Sequence, residues 1–148
     1  MKKITLIAMA IMAISLVSAQ AQAALEVTSN KIQPLADIGS AQPTAQVGLA
    51  QRLSHYFGIV DVNSYNYVDF VVTNRGTTFL GFEGAYIRGT DLRASTNCSR
   101  GLMPNEQCGF TIVYNPFFEG YHSGVFELYF SEGNEIVVDT WGEARRRW

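Results

Sequence analysis

The sequence contains few of the residues from which enzyme and metal sites are usually built. Of its 148 residues only two are cysteine and only two are histidine, His55 and His122. Two cysteines alone do not complete a zinc site, and no group of His, Asp and Glu has the spacing of metal ligands. No glycine-rich phosphate loop lies between a strand and a helix. We therefore predict no metal, no cofactor and no catalytic residue.

One short run around His122 could suggest a catalytic site. Residues 120–124 read Gly-Tyr-His-Ser-Gly, which lacks the serine-centred Gly-x-Ser-x-Gly spacing of a nucleophile elbow. An adjacent His and Ser also point to opposite faces of a strand. We interpret His122 as a surface histidine, and catalysis at this run is the less favoured alternative.

Long apolar runs are absent except at the start of the chain, where the pattern is that of a secretory signal peptide. The chain begins Met-Lys-Lys, residues 4–17 are apolar apart from one Thr and one Ser, and 19–23 offer small residues for cleavage. This order predicts a signal peptide, residues 1–23, that is cleaved after Ala23. A membrane anchor is the alternative, but the run is shorter than the roughly 20 residues of a spanning helix.

If the signal peptide is removed, the net charge of the mature chain and its location limit the partners that it can have. The whole chain has a formal net charge of −2, and removing the signal peptide would leave nine basic and 13 acidic residues. An acidic body argues against nucleic acid as a partner. No later segment is apolar enough to cross a bilayer, so we expect no transmembrane segment in the mature chain. The predicted location is periplasmic or extracellular.

The two cysteines, Cys98 and Cys108, are predicted to form a disulfide. An even number of cysteines in an exported protein favours pairing, because the compartment is oxidising. Two free thiols are the alternative. The spacing is not the Cys-x-x-Cys of cytosolic metal or redox motifs. Closing so small a ring should stabilise the fold by roughly 3 kcal/mol.

Apolar and polar residues alternate with period two in several short segments separated by turn residues. This pattern predicts strands, and with no long helical pattern it predicts an all-β chain. Gly58 inside the first segment suggests a bulge, and Gly142 is expected to end the last. We predict an immunoglobulin-like β-sandwich of about seven strands, preceded by the cleaved signal peptide. The predicted strands are 56–62, 67–73, 78–82, 85–88, 109–115, 124–130 and 135–141.

One face of each strand supplies the predicted core. Each large apolar side chain that becomes buried contributes roughly 1.5–3 kcal/mol. The predicted core residues are Val68, Phe70, Val72, Ile112, Tyr114, Phe126 and Leu128.

The segments that flank the sandwich differ from it in composition. Residues 24–52 contain two prolines and two glycines among Gln, Ser and Ala, which predicts a poorly ordered or loosely packed lead-in. Residues 53–144 form the predicted domain, with a basic tail at 145–148. The tail has two interpretations, contact with anionic lipid or an acidic partner, or a solvated terminus.

A series of short motifs follows one another in order between about Leu53 and Ala144. They are Tyr56-Phe57-Gly58, Thr73-Asn74-Arg75-Gly76, Gly89-Thr90-Asp91, Cys98, Leu102-Met103-Pro104, Cys108, Tyr114-Asn115-Pro116, Gly120 and Ser123. This order resembles the ASH/HYDIN-type immunoglobulin-like module, as found in bacterial choice-of-anchor D proteins.

The resemblance implies a non-catalytic binding or spacer domain, and it implies that the cysteine pair is a structural feature of the fold. Three positions depart from the family pattern. Asn105 stands where glycine is usual, Thr140 where a large aliphatic residue is usual, and Ala144 where the closing glycine would be.

Aromatic residues are more numerous than one small core can hold. The candidates for surface contacts are Phe79, Phe117, Phe118 and Tyr121. One interpretation is a contact patch, since Tyr and Phe are enriched at protein interfaces. The other is a scatter of single exposed rings, which is common on protein surfaces.

These observations favour a secreted or periplasmic, non-catalytic binding or structural module. It would act through protein–protein contacts in the cell envelope, with an envelope or surface protein as partner. An enzyme inhibitor or a pilus-type strand-exchange partner is the alternative. That alternative predicts an open edge strand or a protruding loop at 95–107. A soluble envelope enzyme is the least favoured hypothesis.

Overall fold

The computed structural model describes residues 25–29 and 50–147. In this part of the chain the regular elements are eight strands and two single-turn 3₁₀ helices, Cys98–Arg100 and Ser131–Gly133. No helix among the described residues is long and apolar enough to cross a membrane. The strands are β1 (Leu25–Ser29), β2 (Ala50–Asp61), β3 (Asn66–Asn74), β4 (Phe82–Gly89), β5 (Leu92–Thr96), β6 (Gln107–Tyr114), β7 (Gly120–Phe130) and β8 (Asn134–Arg145).

The strands form two four-stranded sheets, in the orders β1-β3-β6-β5 and β2-β8-β7-β4. All neighbouring strands are antiparallel except β2 and β8, which are parallel. This is the arrangement of an immunoglobulin-like sandwich, with β2 added to the sheet of the last two strands. The predicted fold class is confirmed, with eight strands rather than about seven.

The core lies between the sheets and is built from the faces that the alternation predicted. Strands β3 and β6 pair so that Val68 lies opposite Ile112 and Phe70 opposite Phe110. The rings of Phe70 and Phe110 stack at 4.8 Å, and Phe110 stacks on Phe126 of the other sheet at 4.6 Å. All seven predicted core residues are buried.

The glycine inside β2 marks a bulge, as predicted. The pairing of β2 with β8 changes register between Tyr56 and Ile59. Gly58 lies within this shift at a φ of 83°, a left-handed conformation that residues with a Cβ rarely adopt. The bulge turns Phe57 into the core, where its ring contacts Tyr114 at 5.3 Å.

The prediction of a strand at 78–82 is wrong. Only Leu80 makes a β-bridge there, to Leu102, and the strand proper starts at Phe82 and continues through the predicted segment 85–88. The Asn74 side chain donates to the carbonyl of Thr78 at 2.8 Å, so the start of this stretch belongs to the turn after β3. β5, whose five residues pair with β6, is a strand that was not predicted.

The prediction that Gly142 ends the last strand is also wrong, because β8 runs on to Arg145. Gly142 faces inward, and a Cβ at this position would lie 2.6 Å from Cε1 of Tyr114. The glycine is therefore required for the close approach of the Tyr114 ring to the strand, and it does not mark a turn.

Parts of the predicted lead-in belong to the sheets. Leu25–Ser29 pairs with the C-terminal half of β3, from Asn74 to Phe70. Ala50, at the start of β2, pairs with Glu135 of β8. These residues form strands because β3 and β8 offer them backbone partners. Residues 30–49 lie outside the described residues, as does the predicted signal peptide.

Candidate functional site

The connections of the sandwich gather at two ends, because β7 and its neighbours run its whole height. Strand β7 has 11 residues, and a strand of that length extends about 35 Å. We call one end the disulfide end; it contains residues 75–81, 97–106 and 131–133. We call the other the aromatic end; it contains residues 62–65, 90–91, 115–119 and 146–147 together with the first two residues of β7, Gly120 and Tyr121.

The disulfide between Cys98 and Cys108 is present, as predicted. Its Cα atoms lie 5.1 Å apart, and both side chains are buried. It joins the first 3₁₀ helix to the start of β6, and the Cys98 amide donates to Thr96 Oγ1. The bond is therefore part of the core, with a structural role.

Asn74 is a buried polar residue whose role the sequence analysis missed. Its side-chain amide donates to the carbonyls of Thr78, at 2.8 Å, and Leu102, at 3.0 Å. Its Oδ1 accepts the amide of Gly76 at 2.9 Å. The side chain thus satisfies its two donors and its acceptor inside the protein. The Thr-Asn-x-Gly motif could have indicated this, because an Asn before a turn often bonds to the backbone.

Of the four predicted contact residues, Phe79 stands apart from the other three. It lies at the disulfide end, half exposed, with its ring beside the backbone of Gly101. Phe117, Phe118 and Tyr121 lie at the aromatic end, so a single surface does not include all four.

The Asn105 turn, also at the disulfide end, has a φ of 63°, which Asn tolerates better than most residues.

The aromatic end presents three rings to solvent within a run of five exposed residues, 117–121. The exposed fractions are 49% for Phe117, 71% for Phe118 and 69% for Tyr121. Pro116, just before the run, is buried, so the chain leaves the core at Phe117. This surface is the candidate functional site.

The loop that carries Phe117 and Phe118 is hydrogen-bonded to neighbouring parts of the chain. The Asn115 amide donates to the carbonyl of Asp91 at 2.9 Å, and its side chain donates to the carbonyl of Ser64 at 2.8 Å. The amide of Asn63 donates to the carbonyl of Pro116 at 2.7 Å. These bonds connect the base of the loop, at Asn115 and Pro116, to two other connections of the chain.

The charges around the aromatic end are paired within the chain. Arg145 Nε lies 2.8 Å from Glu143, and Arg147 Nε lies 3.0 Å from Asp61. The Arg146 amide donates to Glu119 at 2.9 Å. The hydrogen bond to Glu143 is also the main cause that raises the pKa of Arg145.

The prediction that His122 is a surface histidine is wrong. Its side chain is 10% exposed and faces inward from β7, with Nδ1 2.8 Å from a carboxylate oxygen of Asp91. Its ring meets the ring of Tyr114 edge to face at 5.7 Å. The Asp91 carboxylate comes from the turn between β4 and β5, so the contact depends on the tertiary fold.

Tyr114 lies beside this pair, with its hydroxyl buried and without a hydrogen-bond partner among the described residues. Burial, with a further contribution from the Asp91 carboxylate, raises the pKa of Tyr114 to about 12. Ser123, next to His122, points to the exposed outer face of the sheet. His122 and Ser123 therefore do not form a nucleophile–base pair.

Two shallow, open grooves lie on the outer faces of the sheets. In the first, Thr111 donates to Asp69 at 2.6 Å and Asn97 accepts the amide of Gly109. In the second, Arg52 binds Asp139 and Arg88 binds Glu127.

The side chains of Thr111, Asn97, Arg52 and Arg88 thus have partners within the chain. In the described residues no group of three or more His, Cys, Asp or Glu could hold a metal ion.

Thr140, where the family pattern has an aliphatic residue, is buried, and its hydroxyl donates to the carbonyl of Gly124 at 3.2 Å. The hydroxyl is therefore satisfied inside the core, and the departure from the pattern is accommodated without changing the strand.

Comparison by sequence finds no matching family model and no matching curated protein. Comparison by structure finds the ASH/PapD-like domain 7 of human CEP192, at 10% identity and a TM-score of 0.54. The match covers 97% of this chain and 100% of that domain. The chain is thus similar in fold to an ASH/PapD-like domain along its length.

Two bacterial proteins contain a similar domain within a longer chain. A protein of unknown function from Porphyromonas gingivalis matches at 11% identity and a TM-score of 0.55, over 87% of this chain and 51% of that one. The VesB protease of Vibrio cholerae matches at 20% identity and a TM-score of 0.51, over 62% of this chain. This chain spans 30% of the VesB chain. At these identities the similarity establishes the fold alone.

Proposed function

We propose that this protein is an exported, non-catalytic immunoglobulin-like module that binds another protein through its aromatic end. The pattern of the first 23 residues predicts a secretory signal peptide. The Cys98–Cys108 disulfide is compatible with an oxidising compartment, either the periplasm or the exterior of the cell. The fold is similar to that of a complete ASH/PapD-like domain.

The exposure of three aromatic rings, two on a loop whose base is bonded to its neighbours and one at the start of β7, is the observation that supports this proposal. The core of the sandwich is filled without Phe117, Phe118 and Tyr121, so packing does not explain their size. Aromatic rings on an ordered loop are suited to an interface, because few rotamers are lost when a partner covers them. The rings therefore act as contact residues.

The alternative, an inhibitor that uses a protruding loop at 95–107, has less support. Within that segment Leu102 is buried and exchanges two backbone hydrogen bonds with Leu80. The disulfide and the Asn74 side chain hold the same segment against the sandwich. A loop bonded in this way offers little free chain for insertion into a partner.

Photo-crosslinking in cells tests the proposed contact. A photoreactive phenylalanine analogue at Phe118 is expected to form adducts with a partner protein, because this ring is 71% exposed at the proposed interface. The matched control is the same analogue at Tyr86, 59% exposed on the outer face of β4. Equal adducts at both positions, or none at 118, 117 and 121, would contradict the contact.

Mass spectrometry of the protein from the envelope or culture fluid tests export separately. The expected mass is that of a chain that begins at Ala24 and contains one disulfide, because cleavage follows Ala23. A protein recovered from the cytosol with its first 23 residues intact would contradict export while leaving the contact surface to the crosslinking result.

A further inference from the structure

We propose that His122 and Asp91 form a pH-sensitive latch, which holds the base of the aromatic loop, residues 115–119, more tightly in mildly acidic surroundings than in alkaline ones. This inference rests on the proposed function and deepens it, because it adds a means of regulation to the same end of the sandwich. The latch orders the loop, and so favours contact with a partner, when the His122 ring carries a proton.

The two partners of the latch are close together and buried. Nδ1 of His122 lies 2.8 Å from a carboxylate oxygen of Asp91, and the two side chains are 10% and 11% exposed. Charges at such sites are screened little by water and salt, so their interaction is stronger than that of a surface pair. The pair of Arg147 and Asp61, at the same end, is by contrast exposed.

The geometry makes this contact depend on charge more than on hydrogen bonding. Nδ1 of His122 is within ion-pair distance of the Asp91 carboxylate, but it is not aligned for a hydrogen bond. Hydrogen bonds weaken steeply at poor angles, whereas Coulomb attraction depends on the distance between the charges. With a neutral ring, the carboxylate is a buried charge without a compensating charge, which favours opening of the turn toward water. Protonation of the ring removes this cost.

His122 is the group of this cluster that changes charge near neutral pH. The charge of a histidine ordinarily changes between about pH 5 and 8. Tyr114 of β6 meets the His122 ring edge to face. Burial, with a further contribution from Asp91, raises the pKa of Tyr114 to about 12, so its hydroxyl stays neutral over the range in which a histidine titrates.

The other elements around His122 direct their charged side chains elsewhere. The residue opposite on β8 is Gly142, which has no side chain. His55, the titratable residue on the inner face of β2, has its ring against those of Phe57 and Phe70. The charged residues of the adjoining strands point to the outer faces of the sheets: Arg88, Arg93, Glu127, Glu143 and Arg145.

Asp91 connects the latch to the aromatic loop through its own backbone. Its carbonyl accepts the amide of Asn115 at 2.9 Å, and Asn115 and Pro116 form the base of the loop. One residue therefore makes both contacts, with its side chain to His122 and its backbone to the loop. A stronger hold on the carboxylate fixes the turn at Asp91, and with it the acceptor of the Asn115 amide.

Hydrogen exchange of the disulfide-bonded protein, followed by NMR, tests the latch. The protection factor, which corrects for the intrinsic effect of pH on exchange, is compared between about pH 8 and about pH 5.5. For the Asn115 amide it should rise about fivefold at the lower pH, because charge-assisted contacts are stronger than neutral ones. The Leu102 amide, bonded to Leu80 at the disulfide end, should not share this rise.

Two matched substitutions identify the carboxylate responsible. Asp91→Asn removes the charge and keeps a residue type that tolerates the φ of 62° at this position, so the response of Asn115 to pH should disappear. Asp61→Asn, at the exposed pair with Arg147, should keep the full response. Protection of Asn115 that does not rise in the wild-type protein, or that rises equally in Asp91→Asn, would overturn the latch.

The NMR signals of the wild-type protein give a second measurement that needs no variant. The Asn115 amide signal should shift with the same midpoint as the ring of His122, because Asp91 connects the two groups. His55, on β2, is the internal comparison. An Asn115 signal that does not shift, or that follows His55 and not His122, would contradict the connection.

Crosslinking at the two pH values separates the latch from the proposed function. Adducts of the photoreactive analogue at residue 118 should be more abundant at about pH 5.5 than at about pH 8, and Asp91→Asn should abolish the difference. Adducts that are equal at both values would overturn the regulation and leave the contact surface. Protection of Asn115 that rises as expected, without adducts at 117, 118 or 121, would remove the contact surface and leave the latch.

Discussion

At the disulfide end the connecting loops are closed by a covalent bond and by a buried amide, whereas at the aromatic end they are closed by hydrogen bonds around exposed rings. Cys98 and Asn74 are both fully buried; Cys98 closes a short ring with Cys108, and Asn74 binds Leu102, 28 positions later. Phe117 and Phe118 extend outward and contribute little to the core. The two ends therefore differ: the side chains of one are bonded or buried within the protein, and those of the other are exposed, where we propose that they contact a partner.

This difference shows how a small sandwich can keep apolar rings on its surface and still fold. Because the buried residues lie in the core and at the disulfide end, we expect that the exposed rings can be replaced without loss of the fold. The two ends can be separated experimentally, because substitutions at each should change different measurements.

The largest expected effect is that of Asn74→Ala at the disulfide end. It removes three hydrogen bonds and leaves the carbonyl of Thr78 and the amide of Gly76 without this partner, so the free energy of unfolding should fall by about 4 kcal/mol. Urea denaturation measures the change. Arg75→Ala, at the next and exposed residue, should cost less than about 1 kcal/mol. Similar losses for both variants would contradict a special role of Asn74.

Replacing both cysteines by serine should have the next largest effect. The disulfide closes a ring of 10 residue steps, and its loss should lower the free energy of unfolding by roughly 3 kcal/mol through the entropy of the unfolded chain. Denaturation of the double variant beside the oxidised protein measures this. A loss below about 1 kcal/mol would show that packing, without the bond, holds the disulfide end.

Near the aromatic end, Tyr114 should make stability depend on alkaline pH. Its pKa is raised to about 12, above the ordinary value of 10, so the folded state holds this proton more tightly. The contribution is present below pH 10 and is lost as the pH rises from 10 to 12, by about 2 kcal/mol at most. Thermal unfolding of the protein and of Tyr114→Phe as a function of pH measures it. A difference between the two that stays constant over this range would refute the assignment.

The smallest expected effect on stability is that of Phe118→Ser. Because the ring is 71% exposed and outside the core, the free energy of unfolding should change by less than about 0.5 kcal/mol. The same denaturation experiment measures this, with Asn74→Ala as the contrasting variant. A loss above about 1 kcal/mol would mean that the aromatic end stabilises the fold, and the distinction between the two ends would not hold.

Most strands of the central part of the sheets could be predicted from local alternation. Residues 67–73 and 109–115 alternate with period two, and both are strands with the expected inward faces. The bulge at Gly58 could also be predicted, since a glycine inside a strand has a local meaning. These features follow from neighbouring residues alone.

The misinterpreted positions are those whose state depends on distant residues. Gly142 looked like the end of a strand because its close contact with Tyr114 comes from the other sheet. His122 looked exposed because its neighbour Asp91 is 31 positions away in the sequence. Leu25–Ser29 was not predicted as a strand because its partner is β3, more than 40 residues later.

By itself the sequence determined the all-β class, the inward faces of the central strands and the pairing of its two cysteines, because period-two alternation and cysteine number are properties of the chain alone. Only the tertiary structure decided that Phe79 lies far from Phe117, Phe118 and Tyr121, and that the charges beside those three rings are paired. The physical reason is that the path of the chain between the two sheets determines which loops meet at each end.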